Sequence, residues 1–516
     1  MRPRASSRTP RVIAGLVLLA IVATTGGLTG AVTDAGAATD PSGTTPSTAA
    51  AAAGSLDWER CGRGVECAAL DVPVDYADPA GEQVSMAVMR APARAPSRRI
   101  GSLVINFGGP GDAGTETLPY VLSRFPAEIR DRFDLVSFDP RGTGGTRQID
   151  CVDDATTDLL AAEDPTPDDP AELTTFFTGA NSAVDVDAEC VARYGDWLAA
   201  IGSRNVARDM DRLRAALGDD QINYLGYSYG TVIGAVYAQE FPDRIRTMVL
   251  DGAVNLSATP AEELEGNTSG FEGALDEFLD WCVDAPQCGF GGDDPRAALT
   301  KLRDRFERGA TMPVADGRDA NVASFYLALI SSLYDKADGW PALALGLRRA
   351  QRGDGSVLQY LADLYLGRDE NGHYSVIQEA IGPIRCADER VPLVDFATFQ
   401  ATYERLSAQY PFFGPLVGSG QPGCDPALPV PAAGLEVGDV RATPDAPVLV
   451  VGTTKDPATP YAGALDLQSR IAGSGLLTYD SAEHAAYGRG VTCIDDAVDR
   501  YLLTRKLPRS GIRCTA

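Results

Sequence analysis

Histidine is almost missing from this 516-residue chain, which carries two, His373 and His484. A multi-histidine metal centre is thereby excluded, and an imidazole acting as a base must be one of these two. Lysine is also scarce: Lys301, Lys336, Lys455 and Lys506 are the only four. The basic residues total 45 against 71 acidic ones, a formal charge of −26. That balance excludes a nucleic-acid partner, because phosphate binding needs clustered Lys and Arg. No run approaches the roughly 18 apolar residues of a membrane-spanning helix. No C-x-x-C occurs, which leaves zinc-ribbon and thioredoxin-like readings weak. A hydrophobic content of 44% is too high for a disordered chain.

What the chain does have begins at its N-terminus. Arg2, Arg4, Arg8 and Arg11 precede a short apolar run, Val12–Ala23, and Ala35-Gly36-Ala37 offers a small-residue cleavage site. This layout predicts a secretory signal peptide over residues 1–38. Its removal takes four arginines and one acid, leaving 41 basic against 70 acidic residues, or −29. Thr39–Gly54 is rich in Ala, Ser, Thr, Pro and Gly, and reads as a flexible tether or propeptide over 39–54. The expected location is outside the cytoplasm of a bacterium, free or at the cell wall, with no stable membrane insertion after cleavage. Export makes disulfides the default use of ten cysteines. They fall into five sequence-adjacent pairs, which suggests 61–67, 151–190, 282–288, 386–424 and 493–514 for Cys61, Cys67, Cys151, Cys190, Cys282, Cys288, Cys386, Cys424, Cys493 and Cys514.

Short apolar runs at Gly101–Asn106, Phe133–Phe138, Ile222–Leu225 and Met248–Leu250 alternate with helical patterns such as Val206–Leu217 and Thr231–Gln239. This alternation predicts an α/β fold with a mostly parallel sheet covered on both faces. Between about 255 and 439 the pattern becomes helical, as in Phe271–Trp281, Ala297–Phe306, Ser324–Tyr334 and Ala342–Arg349. Strands return at Ala446–Val451 and Gly475–Tyr479, followed by a last helix, Ala497–Leu503. The expected organisation is one core, 55–254 and 440–516, split by an inserted helical lid, 255–439. The excess length is therefore an insertion and a leader, not a second independent fold.

The chemistry sits at strand ends. Gly226-Tyr227-Ser228-Tyr229-Gly230 follows the strand Ile222–Leu225 and opens a helix, the strand–turn–helix setting of a G-x-S-x-G nucleophile elbow. A serine at its ordinary pKa needs a base. In this architecture the partners follow in the order Ser, acid, His. His484 lies after the strand Gly475–Tyr479, whereas His373 sits in a polar turn of the insertion, Glu370-Asn-Gly-His373. His484 is therefore the expected base. Asp456, in Gly452-Thr-Thr-Lys-Asp456-Pro, is the expected acid, with Asp251 as its rival. Acyl transfer also needs donors for the developing oxyanion. Tyr229 N–H is one; the other is expected from Phe107-Gly-Gly-Pro-Gly111, at Gly109 with Gly108 as the alternative.

Five ordered motifs carry a family resemblance. They are Asn106-Phe-Gly-Gly-Pro-Gly-Asp-Ala-Gly114, Phe138-Asp-Pro-Arg-Gly-Thr-Gly144, the elbow, Val451-Gly-Thr-Thr-Lys-Asp-Pro-Ala-Thr-Pro460 and the Cys493…Cys514 tail. Together they resemble the secreted tripeptidyl aminopeptidases of the prolyl-aminopeptidase-like α/β-hydrolase group, over nearly all of the chain beyond the leader. The resemblance implies an α/β-hydrolase core, a helical lid, a Ser-Asp-His triad at Ser228, Asp456 and His484, and cleavage of peptide substrates from a free N-terminus, without a metal or other cofactor. Many prolyl aminopeptidases begin the oxyanion loop with H-G-G-P-G; Phe107 replaces that histidine and reads as a marker of the tripeptidyl branch. Close relatives also include carboxylesterases, so a lipase-like or esterase activity is the alternative, and a non-catalytic binding protein on a hydrolase scaffold is a second. An exopeptidase needs a carboxylate for the substrate ammonium. The candidates are Asp388 and Glu389, beside Cys386, then Glu262, Glu263 and Glu265.

Overall fold

A computed structural model of the chain describes residues 56–515, apart from 168, 180, 181, 183, 315, 390, 419–422, 426–427 and 429–435. The expected signal peptide and tether lie outside the described residues.

The strands are β1 (Glu59–Gly62), β2 (Val65–Pro73), β3 (Gln83–Ala91), β4 (Gly101–Asn106), β5 (Phe133–Phe138), β6 (Ile222–Tyr227), β7 (Ile245–Asp251), β8 (Met312–Pro313), β9 (Asp319–Ala320), β10 (Leu449–Thr453), β11 (Gly475–Asp480) and β12 (Arg513–Thr515). Ten of them form one sheet in the order β1-β2-β3-β5-β4-β6-β7-β10-β11-β12, and β8 pairs with β9 alone. From β5 to β12 every pairing is parallel, while β1, β2 and β3 extend the sheet antiparallel. The sequence explains the division. Strands β4, β5 and β6 are buried at every position, as strands covered by helices on both faces must be. In β3, Val84, Met86 and Val88 are buried while Gln83 and Ser85 are exposed, the two-residue period of a strand with one wet face.

The described chain divides into two compact units. One spans 278–365. It holds the helices Pro295–Glu307, Val322–Leu333 and Gly339–Ala350, the β8–β9 pair and an aromatic core in which Trp340 meets Phe278 and Trp281 at 5.9 and 5.8 Å. The other contains the large sheet and both flanks of the helical segment, including the helix Ile377–Asp388. In that unit Arg141, from the Phe138–Gly144 motif, is fully buried. It donates to Asp209 Oδ2 at 2.5 Å and Oδ1 at 2.7 Å, and to the carbonyls of Pro73 and Val74. The motif thus ties the end of β5 to β2 and to the helix Ser203–Ala216.

All five expected disulfides are present: Cys61–Cys67, Cys151–Cys190, Cys282–Cys288, Cys386–Cys424 and Cys493–Cys514. No helix of the described residues is long and apolar enough to cross a membrane.

Candidate active site

Ser228 stands directly after β6 with φ of 52°, in the left-handed region that a non-glycine residue enters at a cost of roughly 1–2 kcal/mol. Its surroundings enforce the turn. The Ser228 N–H donates to the Asp251 carbonyl at 2.9 Å, and the Ser228 carbonyl accepts from Thr231 N–H at 2.9 Å and Thr231 Oγ1 at 2.6 Å. Both motif glycines are required by space. A β-carbon on Gly226 would lie 2.4 Å from the Gly230 carbonyl oxygen, and one on Gly230 would lie 2.8 Å from Asn106 Oδ1. The serine is left at the entry of the helix Gly230–Glu240, where the local field favours negative charge.

His484 and Asp456 meet as expected. The imidazole Nδ1 is 2.8 Å from Asp456 Oδ1, and both side chains are buried. A carboxylate only accepts, so Nδ1 carries the hydrogen and Nε2 is the ring nitrogen with the lone pair. Asp456 is itself fixed by the N–H groups of Ala458 at 3.0 Å, Thr459 at 2.8 Å and Ala485 at 3.1 Å. The rival Asp251 has a different task. Its carboxylate accepts from Ala486 N–H at 3.0 Å and Tyr487 N–H at 2.7 Å, two and three residues after the histidine, and burial pushes it up to about 6. The Asp251–Gly252 segment touches both Ser228 and His484. Its Asp251 carbonyl holds Ser228, and a β-carbon on Gly252 would lie 3.3 Å from His484 Cε1. His373 is exposed and pairs with Asp154 at 2.7 Å, which raises its proton affinity.

The expected oxyanion loop, Phe107–Gly111, follows β4. A β-carbon on Gly108 would lie 2.7 Å from the Tyr227 carbonyl oxygen, 2.9 Å from Ser228 Cβ and 3.0 Å from Tyr229 N, so only glycine permits this approach. The Gly108 N–H is taken by Asn106 Oδ1 at 3.1 Å. Among the described residues the N–H groups of Gly109 and Tyr229 have no protein acceptor, which favours Gly109 over Gly108 as the partner donor. Phe107, in the place of the family histidine, stacks on Tyr227 with centroids 6.2 Å apart.

The carboxylates considered for ammonium binding separate by their partners. Glu262 Oε2 accepts from Thr259 N–H and Oγ1, both at 2.8 Å, and so caps the helix Pro260–Asp284. Glu263 pairs with Arg385 at 2.5 Å and Glu265 with Arg405 at 3.0 Å. Asp388 is buried and accepts from Ser203 N–H and Oγ and from the Tyr229 hydroxyl; burial pushes it up to about 6. Glu389 is half-buried, with its proton affinity raised first by burial and then by Glu436 and Glu263. Among the described residues its carboxylate accepts no hydrogen bond.

Sequence reasoning did not single out Thr459, whose Oγ1 is 3.2 Å from His484 Nδ1. A signal existed: Asp456-Pro-Ala-Thr459 has the composition of a turn in which the aspartate accepts from the N–H groups two and three residues on. The insertion also reaches the site. A β-carbon on Gly270 would lie 2.7 Å from the Pro457 carbonyl oxygen, and one on Gly111 would lie 3.2 Å from Ala380 Cβ. Among the described residues no group of three or more His, Cys, Asp or Glu is arranged to hold a metal ion.

A serine elbow, a histidine after the last long strand and a parallel sheet with helices define a class, and comparison agrees. Residues 102–490 match the alpha/beta hydrolase fold family, and the chain belongs to it, an enzyme of the serine-hydrolase type. The chain is 38% identical over 463 residues to the serine protease Hip1 of Mycobacterium tuberculosis, covering 87% of each protein. It is 37% identical to carboxylesterase B of the same organism, over 93% of this chain and 94% of that protein. The tripeptidyl aminopeptidase of Streptomyces lividans is 32% identical, over 90% of this chain and 88% of its own length.

Proposed function

We propose that the protein is an exported serine exopeptidase of the tripeptidyl or prolyl aminopeptidase type, releasing residues from the free N-terminus of peptides. The observation that carries the catalytic part is the buried His484–Asp456 pair beside the strained Ser228. Ser228 Oγ attacks the scissile carbonyl carbon while His484 Nε2 takes the hydroxyl proton. The oxyanion is held by the N–H groups of Tyr229 and Gly109. As the tetrahedral intermediate collapses, the C–N bond breaks, His484 returns the proton to the leaving amine, and an acyl-serine ester remains. Water, deprotonated by His484, attacks that ester and restores Ser228 Oγ–H.

The exopeptidase part is supported by the relatives named serine protease and tripeptidyl aminopeptidase. It is supported too by Glu389, whose half-buried carboxylate stands among like charges and would gain most from a substrate ammonium. Asp388, Glu262 and Glu263 already serve protein donors. Glu265 is paired with Arg405, so Glu389 leads the five as amine anchor. The segment 255–439 is proposed as the lid, and its flanks Gly270 and Ala380 bear on the acid loop and the oxyanion loop. Five disulfides suit an oxidising compartment outside the cytoplasm.

A second reading, ester hydrolysis, is favoured by the likeness to carboxylesterase B. One experiment separates the two. The purified enzyme is given a peptide with a free N-terminus, its N-acetylated twin and a p-nitrophenyl ester, and products are read by mass spectrometry. The expected result is short N-terminal fragments from the free peptide and none from its N-acetylated twin, with the activated ester also turned over. Cleavage of both peptides, or of the ester only, overturns the exopeptidase assignment.

A further inference from the structure

Asp388 is the last residue of the helix Ile377–Asp388, in the inserted segment, yet its carboxylate ends at the residue after the nucleophile. Oδ2 accepts from the Tyr229 hydroxyl and, at 2.6 Å, from Ser203 Oγ; Oδ1 accepts from Ser203 N–H at 2.5 Å. Ser203 begins the helix Ser203–Ala216, whose N-terminus favours the negative charge. Gly202 makes room: a β-carbon there would lie 2.8 Å from Asp388 Oδ1 and 2.9 Å from the Ala387 carbonyl oxygen. Two residues before Asp388, Cys386 is bonded to Cys424, which fixes this end of the helix.

The other end of Tyr229 is its peptide nitrogen, an oxyanion donor in the reading above. That nitrogen lies in a crowded place, 3.0 Å from where a β-carbon on Gly108 would be, beside a serine held in the left-handed region. Oxyanion stabilisation depends on donors standing within a few tenths of an ångström of the developing charge, and a misplacement near 1 Å costs on the order of a hundredfold in rate. A phenol anchored at its hydroxyl restricts the rotation of Tyr229 about its own backbone, and so the direction of its N–H.

We propose that Asp388 is a positioning residue for the oxyanion hole: the inserted segment clamps the Tyr229 hydroxyl through Asp388, and thereby sets the aim of the Tyr229 N–H. The inference rests on the assignment of Tyr229 as an oxyanion donor, not on the exopeptidase specificity. The lid segment then contributes to the rate of the chemical step as well as to substrate choice.

The test uses the full chain, a fluorophosphonate probe for serine acylation and a p-nitrophenyl ester for turnover, so that it needs no peptide specificity. Tyr229→Phe removes one hydroxyl. Gly202→Ala keeps every hydrogen-bonding group and pushes on Asp388, at a backbone φ of −63° that alanine adopts freely. Asp388→Asn weakens the clamp directly. Each is expected to lower kcat and acylation rate by about five- to twentyfold with KM within twofold, the mark of an interaction felt mainly in the transition state. The double variant Tyr229→Phe with Asp388→Asn should be no slower than the slower single one, because both break the same link. Wild-type kcat in a folded Tyr229→Phe enzyme overturns the proposal, as does a double variant whose losses multiply. If Asp388→Asn leaves ester turnover intact and raises KM only for free N-terminal peptides, Asp388 is the ammonium anchor instead. If the wild-type enzyme neither takes the probe nor turns over the ester, the catalytic assignment fails and this one with it.

Discussion

Asp251 and Asp456 follow the same sheet edge on neighbouring strands. Strand β7 pairs with β10, Asp251 lies opposite Val451, and Asp456 stands five residues further on. Both are almost wholly buried, and both bear on the loop of His484. They differ in what they hold. Asp456 accepts from the imidazole Nδ1–H together with three backbone N–H groups, the contacts of the acid that would orient the ring in the proposed triad. Asp251 accepts hydrogen bonds from the backbone N–H groups of Ala486 and Tyr487, so it holds the loop that carries the ring, with the charges of His484 and Arg489 acting on it from nearby. The partners around a buried acid, more than its position at a strand end, decide what it does. Asp456→Asn is the strongest way to break this distinction. Its kcat should fall by about four orders of magnitude in a folded protein, because an amide can present N–H to Nδ1 and fix the wrong tautomer. Near-normal turnover would move the orienting role to Asp251.

Asp251→Asn sharpens the comparison from the other side. The amide keeps one acceptor for two loop N–H groups and loses the charge that strengthens both bonds. His484 keeps its tautomer through Asp456 but sits on a looser loop. The expected loss in kcat is on the order of ten- to hundredfold, the scale of a small misplacement. Equal losses in the two variants would mean that the two acids share one task.

Much of this candidate site is legible in the sequence, for a physical reason. Elbow, acid loop and histidine loop each lie within a few residues of a strand end, and the strands that set them, Ile222–Tyr227, Leu449–Thr453 and Gly475–Asp480, are apolar runs bounded by turn residues. Chain order then chose His484 from two histidines. The cysteines paired with neighbours 6 to 39 residues away, close enough for adjacency to find them. What was hidden depends on side chains far apart in sequence. Asp388 meets Tyr229 across 159 residues and Ser203 across 185, and no local pattern announces either. The preference for Gly109 over Gly108 is already present in the sequence reading, but its structural support, the Asn106 amide oxygen that takes the Gly108 N–H, is a property of the folded loop. Strands β1, β2 and β3 gave little signal, because a strand with one wet face lacks the long apolar run of the central ones.

Asp112 extends the comparison to a buried acid with few donors. It lies in the oxyanion loop, accepts from Thr117 Oγ1 at 2.7 Å, and has Asp139 and Glu116 as charged neighbours. Burial first, then those two like charges, push it up to about 7 from the 3.8 of an exposed aspartate, with only the Thr117 bond opposing. In the folded chain it therefore binds a proton that the unfolded chain has released between about pH 4 and pH 7. Stability contributed at this position is lost as the pH rises through that window, and the whole penalty applies above it. Asp112→Asn removes the ionisation and keeps an acceptor for Thr117. The variant should match the parent near pH 4 and melt higher at pH 8, by roughly 2–4 °C, the modest shift expected when a gain of up to about 4 kcal/mol is spread over a large domain. Thermal melts of the two proteins across that range provide the measurement. A gain that is the same at both pH values, or a loss at pH 8, would mean that Asp112 is ionised and paired in the folded protein, which would place it with Asp456 and Asp251 among the acids defined by their donors.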